Sequence, residues 1–109
     1  MSQQDFQGRV VVITGAGSGI GRALAQQFAA AGARLALSDI NQVGLDETLA
    51  LLPSAVEARA YKLDVSSREA VFAHADEVKR DFGAAHVLIN NAGASIVGTI
   101  AHTSIEEFE

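Results

Sequence analysis

The sequence predicts an α/β fold: the front part of a doubly wound parallel sheet, with four strands and helices on both faces. Three observations carry that expectation. Short β-branched or apolar runs alternate with amphipathic stretches along the whole chain, the order that parallel strands joined by crossover helices produce. A glycine-rich turn joins the first run to the first amphipathic stretch. No internal repeat, low-complexity tract or linker interrupts the alternation.

Residues 9–13 (RVVVI) form the first predicted strand and run into Gly15-Ala16-Gly17-Ser18-Gly19-Ile20-Gly21. From Arg22 onward, Leu24, Phe28 and Ala31 recur at helical spacing until Gly32, a residue suited to ending a helix. Residues 34–38 (RLALS) are the second strand. Asn41 is placed to cap a helix in which Leu45, Leu49 and Leu52 share one face and Pro53 stops the run. Residues 59–63 (RAYKL) are the third strand. Ser66 with Glu69 reads as a capping box for a helix carrying Val71, Ala75, Val78 and Phe82 on one face, closed by Gly83. Residues 86–89 (HVLI) are the fourth strand. Being short, apolar and without proline or lysine, it is expected to form an open sheet edge that favours self-association. Thr103 with Glu106, or Ser104 with Glu107, marks the start of a further helix. The chain reads as part of a single larger domain.

Composition narrows the function. A length of 109 residues allows one domain, and 49% hydrophobic against 19% charged residues excludes a disordered chain. The net charge of −5 argues against a protein that tracks nucleic-acid phosphates. With no cysteine, disulfides, thiolate nucleophiles and cysteine-based zinc sites are excluded. Residues 1–8 lack the pattern of a secretory signal, and no apolar run approaches the ~20 residues that span a bilayer. A soluble cytoplasmic protein without membrane or nucleic-acid partners is the expectation. His74, His86 and His102 fall on different predicted elements without metal-ligand spacing. They are expected as two surface or boundary residues and one at a strand start, and no metal site is expected.

Glycines between a strand and a helix permit a sharp turn and a close backbone approach. The helix start behind them offers unpaired N–H groups and a positive dipole end, which together suit a diphosphate. A plain tight turn would use the same residues. Spacing separates the nucleotide families. No lysine follows any of these glycines, so a Walker A loop is excluded. The G-x-G-x-x-G pattern fails in both frames, because Ile20 and Arg22 stand where its last glycine belongs. The pattern that fits is Thr14-Gly15-x-x-x-Gly19-x-Gly21. Asp39 ends the second strand, 18 positions after Gly21. A carboxylate there can accept hydrogen bonds from adenosine ribose hydroxyls and would repel a 2′-phosphate; equally, aspartate can simply open the following loop.

Thr14-Gly15-Ala16-Gly17-Ser18-Gly19-Ile20-Gly21 resembles the cofactor loop of the short-chain dehydrogenase/reductase family, in its shorter-chain branch. In the longer-chain epimerase branch a glycine stands where this chain has Ser18. Asp64-Val65 and Asn90-Asn91-Ala92-Gly93 resemble the family's next two signatures, in the same order, and the similarity covers residues 8–109. The resemblance implies a Rossmann-type fold with sheet order 3-2-1-4-5-6-7. It implies NAD as cofactor, a small-molecule alcohol or carbonyl substrate, hydride transfer between the two, and a homo-oligomer of two or four chains. Cofactor contacts are implied for Gly15, Gly17, Ser18, Gly19, Ile20, Gly21 and Asp39. Asp64 would meet the adenine amino group, though a turn or capping aspartate explains it nearly as well, and Val65 would pack on the ring. Asn91, Ala92 and Gly93 would lie along the cofactor, with Asn90 partly a structural brace.

The family's chemistry uses a tyrosine acid/base with a lysine four residues on, a serine and an asparagine. Nearby positive charge brings a phenol with a pKa of ~10 into a useful range. Tyr61 is the only tyrosine here, and Val65 stands four residues on. The catalytic residues are therefore expected beyond Glu109, and residues 1–109 alone are expected to be inactive. Two alternatives stay open at this point: a truncated NAD-binding module, and a nucleotide-sensing regulator without turnover.

Overall fold

Val10, Val11, Val12 and Ile13 are all buried, which a strand of β-branched residues achieves only where helices cover both sides of its sheet. The computed structural model describes residues 6–91 and 100–102, the last three as a backbone strand. Its elements are β1 (Val10–Thr14), α1 (Gly19–Ala30), β2 (Arg34–Asp39), α2 (Gln42–Ala50), β3 (Ala58–Lys62), α3 (Arg68–Phe82), β4 (Val87–Asn90) and β5 (Ile100–His102). The sheet order is β3-β2-β1-β4-β5. The first four strands are mutually parallel, as expected.

Alternate strand residues feed two cores, because successive side chains point to opposite faces. Val11, Ile13, Leu35, Leu37, Val87 and Ile89 meet α1 and α2 through Ala25, Phe28, Ala29 and Leu45. Val10, Val12 and Ala36 meet Val78 and Phe82 of α3 on the other face. The chain is doubly wound, and β1 lies where the winding reverses.

Helix ends follow the capping chemistry with one correction. Asn41 caps α2, its side chain accepting from the Gly44 N–H at 3.1 Å. Gly83 ends α3 in the left-handed conformation, φ 84°. The cap of α3 is Ser67, however, not Ser66: Ser67 Oγ accepts from the Ala70 N–H at 3.2 Å. Ser66 is captured one turn earlier by Asp64, whose Oδ1 accepts its hydroxyl at 2.6 Å and its N–H at 2.9 Å. That local turn delays the helix by a residue.

Three further expectations change. The inward face of α3 is built on His74, Val78 and Phe82, while Val71 is 40% exposed. His74 is thus buried, not a surface or boundary residue. It stands edge-on to the Tyr61 ring at 4.9 Å between centroids. With Val12, Val71, Val78, Ala85 and Leu88 it lines a cavity of about 320 Å³ between α3 and the sheet. Nor is β4 an open edge. Residues Ile100–His102 pair antiparallel with Val87, Leu88 and Ile89, which satisfies ladder groups that a bare edge would leave unpaired. The proposed capping boxes at Thr103 and Ser104 lie outside the described residues.

Neither ring nitrogen of His74 has a hydrogen-bond partner among the described residues, and the nearest carboxylate, Glu77, is 4.0 Å from Nδ1. Burial holds the imidazole below its ordinary pKa of 6.5, with Glu77 opposing weakly. An unfolded chain therefore binds a proton near pH 6.5 that the folded one refuses until lower pH. Stability contributed by neutral His74 is complete above that value and is lost as the pH falls through the window beneath it. We expect His74→Phe to remove up to about 1.4 kcal/mol per pH unit of slope between pH 6.5 and the folded value. Urea unfolding at a series of pH values checks this; identical pH profiles for both proteins would contradict it.

Candidate functional site

Register brings three polar residues to one end of the sheet. Thr14 pairs with Ser38, one residue before Asp39, on one side and with Asn90 on the other. All lie at the carboxyl ends of parallel strands, beside β1, where ligands of doubly wound sheets bind. The Thr14 hydroxyl donates to Asn90 Oδ1 at 3.0 Å and accepts the Asn91 N–H at 2.9 Å, tying the ends of β1 and β4 together. Asn90 thus serves as the expected brace. Asn91 does more bracing than expected: its Nδ2 reaches the Gly15 carbonyl at 3.4 Å. Ala92 and Gly93 lie outside the described residues.

The loop between β1 and α1 is a cradle that side chains would fill. A Cβ at Gly21 would collide with the Gly15 carbonyl and lie 2.9 Å from the Asn91 side chain. A Cβ at Gly17 would come within 2.8 Å of Asp39 Oδ2. In its absence the Gly17 N–H donates to that oxygen at 2.8 Å, while Asp39 Oδ1 accepts the Asn41 N–H at 3.0 Å. Asp39 therefore opens its loop and holds the glycine turn at once. Each carboxylate oxygen retains a second acceptor site.

At the start of α1, Ser18 makes no side-chain cap bond and the first turn carries no acid. The first-turn N–H groups and the positive dipole end are thus left without a side-chain anion. Ser18, Gly19 and Ile20 are exposed, Ile20 to 51%. Beyond β3, Asp64 is exposed, and hydrogen bonds from the Ser66 side chain and then its backbone hold its carboxyl below the usual range. Val65 beside it is 37% exposed, and Ile40 beside Asp39 is 60% exposed. Asp39 at the end of β2 and Asp64 two residues past β3 are thus each followed by an exposed aliphatic side chain. These residues can hold a dinucleotide: N–H groups for a diphosphate, carboxylate acceptors for hydroxyls, and aliphatic surface for a flat ring.

Tyr61 is elsewhere. It packs against the α3 core and its hydroxyl donates to Asp81 Oδ2 at 2.7 Å. Burial first, and then Asp81, push its phenol well above the ordinary value, the wrong direction for a proton acceptor near neutrality. His86 is at a strand start, its Nδ1 accepting the Val10 N–H at 2.9 Å. Among the described residues no cluster of three histidines or carboxylates is placed to hold a metal ion, and no helix is long and apolar enough to cross a membrane.

A model of the short chain dehydrogenase family matches residues 9–109. The chain belongs to that family. It is 50% identical over 93 residues to epidermal retinol dehydrogenase 2 of Mus musculus, covering 84% of this chain and 30% of the relative. It is 42% identical over 103 residues to meso-2,3-butanediol dehydrogenase of Serratia marcescens, covering 94% and 41%. An NAD+-bound xylitol dehydrogenase superposes with a TM-score of 0.79 at 45% identity, covering 83% of this chain and 35% of that one. The chain thus spans well under half the length of these family members and corresponds to their N-terminal part.

Three residues behind the turn, Arg22, Gly44 and Thr48, had no role in the sequence reading, and Thr14 entered it only as the first residue of the glycine pattern. One signal was available, a glycine inside a predicted helix four positions before a threonine. For the cradle itself, Gly21→Ala forces backbone apart and is expected to cost about 1–3 kcal/mol of stability. Urea unfolding checks this, and an unchanged midpoint would contradict it.

Proposed function

We propose that residues 1–109 are the cofactor-binding part of a single Rossmann-type domain, in an NAD(H)-dependent oxidoreductase that interconverts an alcohol and a carbonyl. The observation that carries the reading is Asp39. It stands at the end of β2, already oriented by the Gly17 and Asn41 N–H groups, with acceptor capacity left for two ribose hydroxyls. Its charge disfavours a 2′-phosphate, and the exposed Ser18 offers no positive charge to compensate. NAD is favoured over NADP on these grounds.

When bound, the nicotinamide supplies the hydride acceptor or donor. The chain's own residues bind and orient. Gly15, Gly17, Ser18, Gly19, Ile20 and Gly21 form the diphosphate cradle; Asp64 and Val65 meet the adenine; Asn91, Ala92 and Gly93 flank the rest. The family's proton-moving pair, a tyrosine with a lysine four residues on, is not matched here, since Val65 stands four residues after Tyr61. Three relatives named as dehydrogenases of retinol, butanediol and xylitol support an alcohol substrate. The reading includes a homo-oligomer of two or four chains, as the family resemblance implies, and a cytoplasmic location.

Asp39→Ala is expected to weaken NAD binding by ~1–3 kcal/mol, the scale of a charge-assisted pair, and to spare or improve NADP binding. Calorimetric titration of both cofactors checks this; equal affinity of the unmutated protein for the two would sink the assignment. Residues 1–109 alone should form no NADH from an alcohol above background. Reproducible alcohol-dependent NADH formation would show that the proton-transfer group lies within them.

A further inference from the structure

Behind the glycine turn lies a cluster that the cofactor reading does not use. Arg22 of α1 donates through Nε to Thr48 Oγ1 at 2.9 Å. The two protons of its Nη2 are shared among the Gly17 carbonyl at 2.6 Å, the Gly44 carbonyl at 3.1 Å and Glu47 Oε1 at 3.1 Å, the shortest contact favoured. Thr48 is fully buried. Its hydroxyl proton lies between the Ala16 carbonyl at 2.7 Å and the Gly44 carbonyl at 3.1 Å, and a single proton favours the shorter contact. Two consecutive loop carbonyls, of Ala16 and Gly17, are therefore held from the α2 side.

We propose that Arg22 and Thr48 are positioning residues that fix the peptide planes on both sides of Gly17, and so set the diphosphate-binding face of the loop. The proposal rests on the dinucleotide reading of that loop. Planarity supplies the link, because the C=O and N–H of a trans peptide point in opposite directions. Thr48 holds the Ala16 carbonyl, so the N–H of the same peptide faces Asp39, which accepts it at 2.8 Å. Arg22 holds the Gly17 carbonyl, so the Ser18 N–H is sent away from Arg22 toward the exposed side of the loop. Gly44 completes the lock: a Cβ there would stand 2.5 Å from the Gly17 oxygen. A simple pin between α1 and α2 would need only the Arg22–Glu47 ion pair, whose carboxylate is 63% exposed and adds little. The guanidinium and the buried hydroxyl are instead aimed at loop carbonyls.

The test compares a probe carrying a diphosphate, ADP-ribose, with one lacking it, adenosine. Thr48→Val is nearly isosteric, and Arg22→Lys keeps the charge but loses the planar fork. Each is expected to lower ADP-ribose affinity about tenfold, the scale of one charge-assisted hydrogen bond, with adenosine affinity within about twofold. Thr48→Ser should restore ADP-ribose binding. A readout without ligand runs in parallel: hydrogen exchange at the Gly17 amide should quicken about tenfold in Thr48→Val, with the β1 amides of Val11–Ile13 unchanged. Equal losses for both probes, unchanged ADP-ribose affinity, or unchanged Gly17 exchange would overturn the proposal. If the unmutated protein bound neither probe, the dinucleotide reading would fail, while the Gly17 exchange would still decide whether the clamp exists.

Discussion

The Gly17 N–H donated to Asp39 is the contact on which the rest of the site depends. It ties the turn after β1 to the end of β2 at 2.8 Å, and a Cβ at residue 17 would stand 2.8 Å from the same carboxylate oxygen. A side chain there would displace the carboxylate, and a different residue at position 39 would leave a buried N–H without its acceptor, a cost comparable to a lost hydrogen bond. One interaction thus couples loop geometry to the carboxylate proposed to meet the ribose. On the proposed reading, binding and folding requirements fall on the same two residues.

The sheet brings the two partners of that contact close together. Parallel pairing places the carboxyl ends of β1, β2 and β4 side by side, so the polar residues that finish these strands converge. Val10–Ile13 bury both faces of β1 under α1 and α2 on one side and α3 on the other. This fixes the central strand while its end opens into the cradle. Rigid apolar strands with polar tips hold a site more firmly than loops alone could.

What could be read from the sequence follows the range of the interactions. The strand–helix alternation, the Asn41 cap, the Gly83 stop and the position of Asp39 at a strand end rest on local spacing, and local spacing decided them. Ser66 and Ser67 were confused because both offer the same hydroxyl; only the prior claim of Asp64 on Ser66 separates them. His74 was misplaced because helical periodicity gives a residue's face without saying how deeply that face is covered. The antiparallel pairing of Ile100–His102 with β4, and the Arg22–Thr48 contacts across 26 positions, are long-range and leave no local pattern. Gly44 is the exception: its place inside α2 was visible, and its reason, the Gly17 carbonyl, was not.

The most direct test of the account is where NAD lands on this chain. Amide chemical shifts of the isotopically labelled protein, followed during NAD titration, give that location without any assumption about turnover. The account predicts the largest changes at Gly17, Ser18, Gly19, Ile20 and Asp39, around the turn after β1. Changes concentrated instead at Val71, His74 and Leu88, in the cavity beneath α3, would contradict it.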